Sequence, residues 1–420
     1  MLSRLPACAA LAAAIAPLVW ASAARAEPMT FADALSRAVA TAPSLKARSL
    51  GVRAARAEVR PAGQLPDPKV SVGVTDFPIS GPLAGRPDRD DFSMVGVGFS
   101  QDVPNRAKRD ARTAVAEAGV GENEAALVAD TRSVRTAAAV AWVDLLYAQR
   151  KLDALDKLEG ELGLEAQTVD ARIAADAARP SAAVEPSQLL ANLADRREML
   201  KAERAKARAE LERWTGAEDA QPVGEPPAHM FDPVVLRAGL DQLPDLELKD
   251  AAIHTAEAEH TLAKADKRPD WGYDVEYDHR DPRFGDYISG KLRFSLPLFA
   301  ADRQDPIISA KAADVSRAYA ERESVRRDLK AALDSDLADH AMHMAQLARA
   351  HDTLEPLARK RVELETASYR ARTASLSDIL AARRDLIQVE LDLLDREAEA
   401  ARDGVRISIT YSPTEEGQDQ

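Results

Sequence analysis

The stretch Arg268–Phe299, RPDWGYDVEYDHRDPRFGDYISGKLRFSLPLF, constrains this chain more than any other. Trp271, Tyr273, Val275 and Tyr277 alternate with Gly272, Asp274, Glu276 and Asp278. A period of two places the first set on one face of a strand and the second on the other. A water-soluble sheet would carry aliphatic residues on its inner face and would not oppose them with an unbroken row of carboxylates. Aromatics outside, charge inside and a run of about ten residues suit a strand that crosses a membrane. After the turn Asp281–Asp286 the alternation resumes. Ile288, Leu292, Phe294 and Leu296 take one face, and Ser289, Lys291, Arg293 and Ser295 the other. The stretch reads as a hairpin of a transmembrane β-barrel. Trp271, Tyr273, Val275, Tyr277, Leu292 and Phe294 are its lipid-facing residues, and Asp274, Glu276, Asp278, Lys291 and Arg293 its pore-lining ones.

The rest of the chain is helical in composition. Charged residues make up 30% of the 420 and aromatics 5%, with no signature of a compact enzyme. No HExxH, phosphate loop or nucleophilic cysteine occurs, and His254 and His260 lie six apart, off a shared helical face. No cofactor and no catalytic residue are expected. The formal net charge of -13 argues against nucleic acid as a partner. Residues 1–26 read as a secretory leader: Arg4, an apolar run, then Ala24-Arg25-Ala26. Leu5-Pro6-Ala7-Cys8 is a poor lipidation site, because the apolar run follows the cysteine instead of preceding it. No later window offers the roughly 18 uncharged apolar residues of a membrane helix.

The order of elements repeats. In the first unit, 27–214, a helix over 29–60 capped by Thr30 is interrupted at Pro43. Strands near 69–75 and 93–101 follow, then long helices over 104–179 and 187–214. Met94 falls on the wrong side of the second strand, whose register stays open. The spacing of Leu145, Leu152, Leu155, Glu159 and Leu162 is a heptad seam, and the first long helix would run on the order of 110 Å. Residues 215–233 read as a linker. The second unit, 234–403, has a break at Pro244, strands near 271–279 and 287–296, and long helices over 301–372 and 376–403. A mobile tail, 404–420, closes the chain. Two strands per unit make four, short of the roughly eight that a closed barrel needs. Unpaired strand edges are prohibitive in lipid, so several copies must share one barrel.

The sequence resembles the TolC-type outer-membrane efflux factors over nearly all of the chain after the leader. The resemblance rests on Thr30-Phe31-Ala32-Asp33-Ala34-Leu35 with Pro43-Ser44-Leu45, on Leu65-Pro66-Asp67-Pro68, and on Ala141-Trp142-Val143-Asp144-Leu145-Leu146-Tyr147-Ala148. In the second unit it rests on Arg268-Pro269-Asp270, Leu296-Pro297-Leu298-Phe299, Tyr369-Arg370-Ala371 and Leu376-Ser377-Asp378-Ile379-Leu380. It implies a mainly α protein with a transmembrane β part: a homotrimer sharing a twelve-stranded barrel above a periplasmic α-helical tunnel. It implies an outer-membrane duct that docks through a periplasmic membrane-fusion adaptor onto an inner-membrane pump. Leu65-Pro66-Asp67-Pro68 and the Trp142 region resemble the heavy-metal cation branch, while drug or protein export remains open. A periplasmic coiled-coil adaptor is the rival class, and it has no need of amphipathic strands.

Three further groups of residues carry expectations. Asp378 completes an S-x-x-D capping box with Ser375, and the resemblance implies a carboxylate ring at the periplasmic entrance there, with Glu185 as its first-unit counterpart. The family usually has a glycine where this chain has Arg372, and the first reversal is rebuilt with Pro180 and Pro186. His340, Met342, His343 and Met344, with His351 beyond, look at first like a soft-metal site. But His340, Met344 and His351 fall with Leu333, Leu337, Leu347 and Leu354 on one helical seam while Met342 points away, so packing is the expected role and no metal is assigned.

Overall fold

The computed structural model describes residues 27–174, 184–228 and 231–412. The leader, Pro180 and residues 413–420 of the tail lie outside the described residues. Glu27–Met29 form a short strand, β1, so Met29 precedes the first helix instead of opening it. Thr30 caps α1 (Phe31–Thr41). Its hydroxyl accepts from Asp33 N, and Asp33 accepts from Thr30 N, each at 3.2 Å. Ala42, extended at ψ 117°, is driven out of the helical region by Pro43, which then opens α2 (Pro43–Ala62).

Next come β2 (Lys69–Thr75), β3 (Met94–Val103) and α3 (Arg106–Ala174), whose 69 residues reach about 100 Å. The return helix α4 (Val184–Thr215) begins earlier than expected. Pro186 sits in its first turn, where a missing N–H breaks no helical bond. The linker holds a strand of its own, β4 (Ala220–Pro222), which pairs in parallel with β1. Each of the two strands has only three residues, one of them a proline (Pro28, Pro222), too few to show a period, which is why the pair escapes sequence reading.

The second half runs through α5 (Pro233–Ala238), α6 (Pro244–Ala265), β5 (Asp270–His279) and β6 (Tyr287–Ser295). Leu243, at ψ 140°, breaks the chain before Pro244 as Ala42 does before Pro43. The helix expected over 301–372 is divided into α7 (Gln304–Arg349), a π-helical turn (Ala350–Leu354) and α8 (Glu355–Arg370). Pro356 accounts for the break, since it offers no N–H to carbonyl 352 and its ring crowds that oxygen.

The last helix, α9 (Leu376–Tyr411), overruns its expected end at Asp403, and the expected mobile tail is helical as far as Tyr411. Gly404 weakens a helix by about 1 kcal/mol. Against that, Ile407 and Tyr411 are buried with Leu236, Leu240, Leu243 and Leu333, and each such side chain contributes roughly 1.5–3 kcal/mol. Burial wins over propensity.

The four longer strands form one antiparallel sheet in the order β2-β3-β5-β6. The helices pack below it around Trp142, whose Nε1 donates to Met29 O at 2.9 Å while Phe31 meets the indole edge-on. Farther down α3, Leu152, Leu155 and Leu158 pack against Leu193, Leu200, Leu380, Ile387 and Leu391, joining α3, α4 and α9. Lys151 is enclosed among the same helices, where it pairs with Glu203 and, at 2.8 Å, with Asp395. Among the described residues no helix is long and apolar enough to cross a membrane.

Candidate functional site

The strand register decides which residues share a face. Val97 lies opposite Val72 and Tyr277, while Ser100 lies opposite Lys69 and Asp274. One face therefore carries Val70, Val72, Val74, Val95, Val97 and Phe99, continued by Trp271, Tyr273, Val275, Tyr277, Ile288, Leu292 and Phe294. Val72 is 75% exposed and Ile288 77%, so this apolar band has no cover among the described residues. Met94 belongs to the opposite face with Gly96 and Gly98, which explains its odd phase.

That opposite face holds Asp274, Glu276, Asp278, Lys291 and Arg293, with two residues that sequence reading missed. Asp102 accepts from Lys69 at 3.0 Å and from Arg293 at 3.1 Å, and Arg293 also meets Asp274 at 2.8 Å. Lys291 lies directly across from Asp274 but forms no ion pair with it. Lys69, Ser71, Gly73 and Thr75 share the polar face of β2, a parity visible in the sequence. The contacts of Lys69 and Arg293 with Asp102 follow only from the register.

Sheet and helices are tied together at one carboxylate. Asn105 caps α3, its Oδ1 accepting from Lys108 N at 2.9 Å. Its own backbone N and Nδ2 donate to Asp270 Oδ1 at 2.7 and 2.8 Å. Lys108 Nζ reaches Asp270 Oδ2 at 3.1 Å and Asp266 at 2.8 Å. The start of β5 is thus clamped onto the first turn of α3, which gives Arg268-Pro269-Asp270 a structural reason.

At the other end, α8 closes with Arg372 in the left-handed region, φ 63°, while Thr373 N donates to Ser368 O at 2.9 Å. An arginine here accepts strain that a glycine would avoid. Ser375 and Asp378 then form the reciprocal box: Asp378 Oδ2 accepts from Ser375 N at 2.8 Å and from its hydroxyl at 2.6 Å. The hydroxyl and then the backbone N–H hold the exposed Asp378 carboxyl below the usual aspartate range, so it is ionised at neutral pH. Glu185 lies in the first turn of α4, and its side chain is outside the described residues.

The histidine seam departs from expectation. His340 packs against Phe231, ring centres 5.0 Å apart, and burial holds its imidazole below the usual histidine range. Met344, His351 and Leu354 are exposed, not packed. His343 instead points inward, with Nδ1 at 2.7 Å from the buried Asp403 of α9. A straight helix drifts about 20° per heptad, and the π turn shifts the phase again, so a seam written in sevens leaves the interface after His340. Among the described residues no three His, Cys, Asp or Glu side chains are grouped to hold a metal ion.

No protein-family model and no curated protein matches the sequence. Solved structures do match. A membrane protein from Pseudomonas aeruginosa aligns with TM-score 0.79 and 16% identity over 93% of this chain and 92% of its own. The CmeC outer membrane channel of Campylobacter jejuni aligns with TM-score 0.76 and 13% identity, over 91% and 85%. CusC aligns with TM-score 0.74 and 16% identity, over 91% and 92%. At these identities the likeness is one of fold.

Proposed function

We propose that this chain, which has the fold of the TolC-type outer-membrane efflux channels, is the outer-membrane duct of a tripartite efflux system. Three copies would pool their strands into one barrel around an aqueous pore, with the helices extending into the periplasm. A membrane-fusion adaptor and an inner-membrane pump would dock at the helix reversals and supply the energy, so the duct itself is passive. One observation carries this reading: a four-stranded sheet that has, among the described residues, an uncovered apolar face, a charged face and two unpaired edges, β2 and β6. Lipid satisfies the first, water the second, and only further copies can pair the third.

The cargo reading is heavy-metal cations. It is supported by the motif likeness at Leu65-Pro66-Asp67-Pro68 and around Trp142 and by the net charge of -13. Asp378, one per copy, would ring the periplasmic entrance, with Glu185 from the first reversal beside it. A deletion strain grown across a panel of metal salts and organic drugs tests the cargo. Selective metal sensitivity, restored by the intact gene, supports the reading; sensitivity to drugs alone overturns it.

A further inference from the structure

We infer that the barrel wall carries a cation-binding station at its loop end, built from Glu276 and Asp278 over Gly96, distinct from the entrance at Asp378. The inference rests on the barrel reading and adds a site to it. The polar face of the sheet is zoned by height. In its lower rows the acids are neutralised, Asp102 by Lys69 and Arg293, and Asp274 by Arg293. One row up, Glu276 stands in register with Ser289, Gly98 and Ser71; above it, Asp278 stands with Tyr287, Gly96 and Gly73. Neither row holds a base. The nearest one above, Arg280, is committed: its guanidinium donates to Asp91 O, Gly285 O and Phe284 O and stacks 4.0 Å over Tyr287.

The two carboxylates converge. A Cβ on Gly96 would lie 2.6 Å from Asp278 Oδ1 and 3.1 Å from Glu276 Oε1, so only glycine leaves them this seat. Asp278 is 6% exposed, yet its carboxylate makes no hydrogen bond and no ion pair among the described residues. An unpartnered carboxylate held beside a second like charge calls for a counter-charge. Two carboxylates from one wall leave most of the coordination sphere to water, which fits a hard divalent cation such as Ca²⁺ or Mg²⁺ and not a soft metal.

The test uses the full chain reconstituted in planar bilayers, with CaCl2 added on the loop side at fixed KCl. Wild-type channels should be blocked by Ca²⁺. Asp278→Asn together with Glu276→Gln should raise the blocking concentration about tenfold or more and lower cation preference in the reversal potential. Gly96→Ala should do the same, whereas Asp378→Asn should leave the loop-side block in place. Channels that conduct normally but keep their loop-side block in the double variant would overturn the station and leave the duct intact. No conductance from wild-type protein would overturn the duct itself, and the station with it.

Discussion

Replacing Asp270 with alanine should uncouple the sheet from the helices, and the geometry allows the loss to be sized. Asp270 accepts two bonds from Asn105 and one from Lys108, all between 2.7 and 3.1 Å. Its side chain is 29% exposed and that of Lys108 20%, so screening reduces these interactions without erasing them. A hydrogen bond to a charged group contributes about 1.5–3 kcal/mol, and the three share one carboxylate and do not add. Lys108 keeps Asp266 at 2.8 Å, which limits the penalty of an orphaned cation. The expected loss is about 2–4 kcal/mol. Asp270→Asn keeps the side-chain oxygen for Asn105 but drops the charge, and should lose about 1 kcal/mol. Asp266→Ala leaves the clamp in place and should be milder than Asp270→Ala. The assay is denaturant unfolding of the full chain in mild detergent, followed by helical circular dichroism. A change under about 0.5 kcal/mol in Asp270→Ala, the range of an ordinary surface substitution, would refute the clamp, as would an equal loss in Asp266→Ala.

Val275→Arg should block assembly into the outer membrane, at roughly 2–4 kcal/mol near the bilayer midplane, while Glu276→Gln assembles normally; membrane fractionation reads both, and equal outcomes would mean that the two faces are assigned wrongly. Arg372→Gly should raise the thermal midpoint, with up to about 1 kcal/mol of relief once glycine's greater unfolded-state entropy is counted. A lower midpoint would show that Arg372 makes contacts outweighing its strain. Asp378→Asn should weaken cation block from the periplasmic side, whereas Ser375→Ala should weaken the helix start by about 1 kcal/mol and leave that block unchanged. If both variants are merely less stable, with normal conductance, Asp378 is a cap alone.

Much of this architecture is written locally. Trp271–Asp278 declares a strand because every residue obeys the alternation. Pro43 and Pro244 declare their breaks because an extended residue must precede each. Ser375 and Asp378 declare a helix start because both partners of the box lie within one turn. What escaped depends on partners remote in sequence. The pairing of β1 with β4 joins Met29 to Pro222, and no local pattern hints at it. Gly404 looks like a terminus until Leu243 and Leu333 are known to bury Ile407. Asp102 gains its meaning from Arg293, placed beside it by two strand registers in succession. The inward turn of His343 toward Asp403 depends on helical drift, which a fixed heptad frame leaves out.

The central claim is that one chain supplies four strands of a barrel that only several copies can close. The most direct measurement is the mass of the full-length protein extracted from the outer-membrane fraction in mild detergent, by light scattering corrected for bound detergent. The account predicts a particle of three chains that sediments with outer-membrane markers and stays intact without cross-linking. A monomer recovered from the soluble periplasmic fraction would contradict it.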